Sequence, residues 1–111
     1  MNVYDTVNKL ANEIKESDEY KNFKEARKNI NLNNDYKEKI SEFEKLRYEE
    51  QINSIQSGKS DENKIKQIQS LYEELLNIEQ IKQYFDAELK FNILLGDVNK
   101  IISDAVQDVI S

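Results

Sequence analysis

Residues 91–109 read FNILLGDVNKIISDAVQDV. Along this run Phe91, Leu95, Val98, Ile102, Ala105 and Val109 alternate steps of four and three, the spacing of a coiled-coil seam, and Leu94 and Ile101 widen the seam. The pattern predicts one long C-terminal helix that starts after a capping box at Asn77 and Gln80 and runs nearly to Ser111. Globular helices usually span about 8 to 20 residues, so an apolar stripe on a helix of about 30 exceeds what one small bundle needs. Phe91, Leu94, Leu95, Val98, Ile101, Ile102, Ala105 and Val109 are therefore expected to carry self-association. The central helix of a monomeric bundle would show the same periodicity. Gly96 interrupts this helix at a cost of about 1 kcal/mol, and close approach of a second helix is expected there.

Upstream the chain continues in helical periods. Val3, Val7, Leu10, Ala11 and Ile14 predict a first helix over about residues 3–16, capped by Asn2. Ser17 caps a second helix, with Asp18 and Glu19 beside the positive end of its dipole and Tyr20, Phe23, Ala26 and Ile30 on its inner face. Asn31, Leu32, Asn33 and Asn34 break the period, and Asn33 or Asn34 starts a third helix. That helix carries two apolar sets. Tyr36, Ile40, Phe43 and Leu46 form one; Tyr48, Ile52 and Ile55 form another, with Ile40 and Ile52 about 120° apart around the axis. Two faces imply two packing partners, from one subunit or from two. Gly58 is placed to end the helix in the left-handed conformation, and Ser60 with Asn63 to begin a fourth helix carrying Ile65, Ile68, Leu71, Tyr72, Leu75 and Leu76. The 16-residue spacing of Tyr4, Tyr20 and Tyr36 reflects similar amphipathic helices, since it is shorter than repeat architectures use.

The fold expected is all-α: a bundle of about five helices with a long helical hairpin and a long C-terminal helix, self-associating, in a single domain over residues 1–111. Composition agrees. The 111 residues contain no proline and only two glycines, Gly58 and Gly96. Charged residues make up 34% and mean hydropathy is -0.83, so association would help the chain bury more apolar surface.

The same composition restricts function. There is no histidine, cysteine or tryptophan. Histidine is the side chain that exchanges protons most readily near neutral pH, and cysteine the most easily activated nucleophile, so their absence points from catalysis toward binding. Without cysteine there is no disulfide, thiolate metal site or cysteine-held iron–sulfur cluster. Glu73 with Glu74, and Asp35 with Glu38, are thin material for an acid–base or metal site, because di-iron bundles add histidine to their glutamates. Ser60, Asp61, Glu62 and Asn63 lack the ordered spacing of a calcium loop. No cofactor is expected. The net charge of -6 repels phosphate backbones and argues against direct DNA binding. Lys21, Lys24 and Lys28 form a stripe on the second helix that suits an acidic partner or RNA, although no aromatic is interleaved to stack a base. No stretch approaches the length of a membrane span and the N-terminus lacks a signal peptide's apolar core, so a cytoplasmic location is expected.

Joint order, more than any one motif, carries a resemblance. Tyr84, Ala87, Glu88, Phe91, Leu94, Leu95, Gly96, Asp97, Val98, Lys100, Ile101 and Ile102 resemble the C-terminal run of the YlbF/YmcA/YheA family of bacterial regulators. Tyr4-Asp5, Leu10-Ala11, Ile14-Lys15, Ser17-Asp18-Glu19-Tyr20, Lys24 and Ala26 are similar to its N-terminal pattern, and Gln51 followed by Gly58 to its Gln-rich hairpin tip. Within that family the run resembles the YheA-like branch. The resemblance implies a self-associating, non-enzymatic helical protein of low-GC Gram-positive bacteria, related to regulators of competence, biofilm formation and sporulation. Some of these act in a complex that influences RNase Y and mRNA maturation. An adaptor follows, with itself and other regulatory proteins, including an RNase Y-associated complex, as partners, and Lys21, Lys24, Lys28, Gln51 and Gly58 as the candidate partner surface. Certain members hold an iron–sulfur cluster on cysteines, which this chain lacks. The alternative is a small chaperone-like or export-linked helical protein. Secreted proteins of similar size carry a Trp-x-Gly turn where this chain has Ser57-Gly58-Lys59.

Overall fold

The computed structural model describes residues 2–110. Among these the secondary structure is helical throughout, with no strand: α1 (Val3–Glu16), α2 (Asp18–Asn31), α3 (Asn34–Ser57), α4 (Glu62–Leu76), α5 (Glu79–Ala105) and the short α6 (Gln107–Ile110). The all-α architecture is the one expected, including the helical hairpin of α3 and α4, the two helices whose backbones approach each other most extensively.

Capping explains most boundaries. Asn2 Oδ1 accepts the Tyr4 N–H at 2.8 Å, and Asn33 Oδ1 accepts the Tyr36 N–H at 3.1 Å. Each satisfies a donor that the first helical turn leaves without an intrahelical partner. Ser17 serves two helices at once. Its hydroxyl donates to the Ile14 carbonyl at 2.6 Å at the end of α1 and accepts the Tyr20 N–H at 3.2 Å at the start of α2. Gly58 ends α3 at φ 71°, where a side chain would be strained, with its N–H on the Ser54 carbonyl.

Three boundaries differ from expectation. Asp61 rather than Ser60 caps α4, its carboxylate accepting the Asn63 and Lys64 N–H groups at 3.0 and 3.3 Å. Carboxylates are stronger acceptors than hydroxyls, and the Ser60 hydroxyl instead meets that of Ser54 at 3.3 Å. Asn77 opens no helix with Gln80; its N–H closes α4 on the carbonyls of Glu74 and Leu75, and α5 begins two residues later. The C-terminal helix also stops short of its predicted length. The Val106 N–H turns back to the Ser103 carbonyl, three residues away, and α6 follows. Ser103 and Asp104 compete locally for backbone groups, and nothing packed over this stretch opposes them. Ser111, where the prediction ended, lies outside the described residues.

The chain forms two compact units. A terminal unit joins Met1–Ala26 to Tyr84–Ser111, and a hairpin unit comprises Arg27–Gln83. In the hairpin unit Ile30, Ile40, Phe43, Leu75 and Ile81 are buried, Ile81 completely. Phe43 lies 5.6 Å from Tyr72, joining α3 to α4. The first apolar set of α3 thus supplies core. The second does not: Tyr48 is 63% and Ile55 75% exposed. In the terminal unit Tyr84, Phe85 and Ala87 are buried, and Phe23 stacks obliquely on Tyr84 at 5.7 Å and on Phe91 at 5.6 Å, while Tyr20 meets Phe91 edge-on at 5.9 Å. Such ring pairs add about 0.5–1.5 kcal/mol each to the area they bury.

Candidate interaction surface

The apolar seam of α5 divides into two halves. Phe91, Leu94, Leu95 and Val98 are half-buried, and Phe91 is committed to Tyr20 and Phe23 of its own chain. Ile101, Ile102, Ala105 and Val109 are exposed, as are Val106 and Ile110 beside them. Among the described residues, the eight positions expected to carry self-association therefore comprise an inner half that serves this chain's own packing and an outer half that nothing covers.

α1 repeats that contrast. Its apolar residues recur in steps of four and three at Val3, Val7, Leu10 and Ile14, yet none of its residues is buried. Val3, Tyr4 and Val7 lie open to solvent. Gly96 is also open: a Cβ built there would meet nothing within 4 Å, so the close approach expected at this position is not made within the chain.

The candidate partner residues fall elsewhere. Lys21, Lys24 and Lys28 are exposed along α2, Gly58 is exposed at the hairpin tip, and Gln51 lies on the wall of a groove between α3 and α4. This groove has a volume of about 580 Å³. Ile55, Ile65 and Ile68 form its apolar lining, and Arg47, Gln51 and Gln69 contribute polar groups. The Arg47 guanidinium stands 5.4 Å from the centre of the Phe43 ring, a cation–π contact that holds it beside the groove.

Glu50 closes the groove near the tip and is only 6% exposed. One carboxylate oxygen accepts the Asp61 N–H at 2.8 Å, and the other lies 3.5 Å from the Asn53 amide nitrogen. A buried carboxylate needs such donors, and this one ties α3 to the cap of α4. Sequence reading missed both Arg47 and Glu50, because the partner of Glu50 lies eleven residues on and no local pattern announces it.

No group of three or more Asp or Glu residues converges as a metal site among the described residues, and none of their helices is long and apolar enough to cross a membrane. The surface features that stand out among the described residues are an open acidic-apolar C-terminal segment, an open amphipathic helix and a groove with an apolar lining.

The chain matches other proteins over nearly its whole length. It is 31% identical over 106 residues to a UPF0342 protein of Caldicellulosiruptor bescii, covering 96% of this chain and 89% of the relative. A UPF0342 protein of Clostridium novyi is 31% identical over 108 residues, 97% of this chain and 95% of its own. One of Symbiobacterium thermophilum is 35% identical over 104 residues, 94% and 93% of the two chains. The family model described as control of competence regulator ComK, YlbF/YmcA, matches residues 3–107, and the chain belongs to that family.

Proposed function

We propose that this protein is a non-enzymatic cytoplasmic regulator that works as an adaptor, binding itself and other regulatory proteins through its uncovered apolar helix faces. The observation that supports this most directly is the exposure of Val3, Val7, Ile101, Ile102 and Val109 on helices whose period would otherwise place them in a core. Apolar helical surface of this kind is typical of sites that receive another protein. The family description supports a regulatory role. Within the family, the run from Tyr84 to Ile102 favours the YheA-like branch, and the resemblance to regulators that influence RNase Y directs the search for partners.

Affinity capture of the tagged protein from its native cytoplasm, with and without nuclease, tests this reading. Nuclease-resistant recovery of RNase Y or of related regulators, lost when Ile101 and Ile102 are both changed to Asp, is the expected result. Recovery that disappears with nuclease would instead make RNA the bridge, and Lys21, Lys24 and Lys28 would become the residues to reverse.

A further inference from the structure

We infer that the groove between α3 and α4 receives the C-terminal segment, residues 101–110, of a second copy of this chain. The inference rests on the reading of the protein as a self-associating regulator and specifies the surface that accepts its C-terminal helix.

The two surfaces complement each other in shape class and charge. The groove is lined by Ile55, Ile65 and Ile68 between two helices, the setting in which a third amphipathic helix lays down its apolar face. Residues 101–110, the end of α5 and α6 on either side of the turn at Val106, supply apolar side chains for it. Ile101, Ile102, Val106, Val109 and Ile110 are between 44% and 80% exposed. Their only charges are Asp104 and Asp108, both acidic. Asp104 pairs with Lys100 at 3.0 Å, whereas Asp108 has no ion pair among the described residues. Arg47 at the groove likewise has none; its guanidinium stands over the Phe43 ring. Arg47 beside an apolar groove and Asp108 beside an apolar stripe, each without an ion pair among the described residues, are opposite charges that can meet. α1 fits less well, since its acids alternate with Lys9 and Lys15.

Area supports a second copy as the occupant. The chain exposes 8940 Å². Even two fully separate globules of half its mass would together expose only about 7,700 Å². The surplus, more than about 1,000 Å² per chain, exceeds the roughly 800 Å² per partner of an ordinary stable interface. Under two-fold symmetry each copy gives its segment and receives the other's.

The absence of cysteine makes the test direct. Ile55→Cys and Val109→Cys are made as separate single variants at exposed positions, tagged differently, mixed and mildly oxidised, with helicity checked by circular dichroism. The expected product is the mixed disulfide dimer in at least about tenfold excess over either homodimer, since only the mixed pair is brought together. In parallel, R47E should raise the dimer dissociation constant at least about tenfold in sedimentation, and adding D108R should restore most of it. Homodimers of V109C alone, or crosslinking of I55C to Val7→Cys, would overturn the inference while leaving an adaptor that associates by another face. A protein that stays monomeric at concentrations on the order of 100 µM would also overturn it, and the capture experiment would still decide the adaptor reading.

Discussion

The hairpin unit and the terminal unit use similar helices in opposite ways. In the hairpin unit the apolar face of α3 around Ile40 and Phe43 is closed by its own chain, and the tip is fastened by Glu50, Asp61 and Gly58. In the terminal unit an equally regular seam is half-covered only as far as Val98, and α1 has only Leu10 and Ile14 half-buried on its apolar face. The lesson is that amphipathic period specifies that a helix face wants cover, without specifying whose side chains provide it. The hairpin unit closes one apolar face of α3 and leaves the other, around Tyr48 and Ile55, open, while the terminal unit leaves the outer half of its seam uncovered.

The sharpest way to break that contrast is to remove one ring from each core. Phe43→Ala should cost about 3–5 kcal/mol in urea unfolding, and Phe91→Ala clearly less because it is only half-buried. Equal losses would show that the terminal unit is as complete as the hairpin. Glu50→Ala comes next, at about 1.5–3 kcal/mol, and should speed hydrogen exchange at the Asp61 amide if that carboxylate fastens the tip. Gly58→Ala should cost about 1–2 kcal/mol, the strain of a side chain at positive φ. Gly96→Ala should go the other way and stabilise the chain by about 0.5–1 kcal/mol, since its Cβ meets nothing. A loss there would reveal a helix packed against Gly96 in solution. The smallest effect on folding is expected from Ile101→Asp, within about 0.5 kcal/mol by thermal unfolding, because the side chain is already 70% exposed. Its effect should fall on association instead.

Much of this contrast was legible in the residues. The helices from Val3 to Leu76 followed from period and caps: Asn2, Ser17, Asn33 and Gly58 all perform the capping roles their positions suggested. The two faces of α3 were also readable, and the exposure of Tyr48 and Ile55 gives the second face its meaning. The end of α5 was not readable, because a heptad continues on paper through Ser103 and Asp104 where the backbone tightens to an i−3 bond. Nor was the groove. Arg47 and Gln69 come from different helices, and only the hairpin brings them to one cleft.

α1 has one more consequence, and it concerns turnover. A 14-residue helix with no fully buried residue is marginal in water and opens at little free-energy cost, so proteases reach it readily. Limited proteolysis of the isolated chain should cut within α1 early and slow sharply there once a binding protein lies over Val3 and Val7. Copies without a partner would then be the short-lived ones, and the cell's supply of this protein would track the supply of whatever it binds.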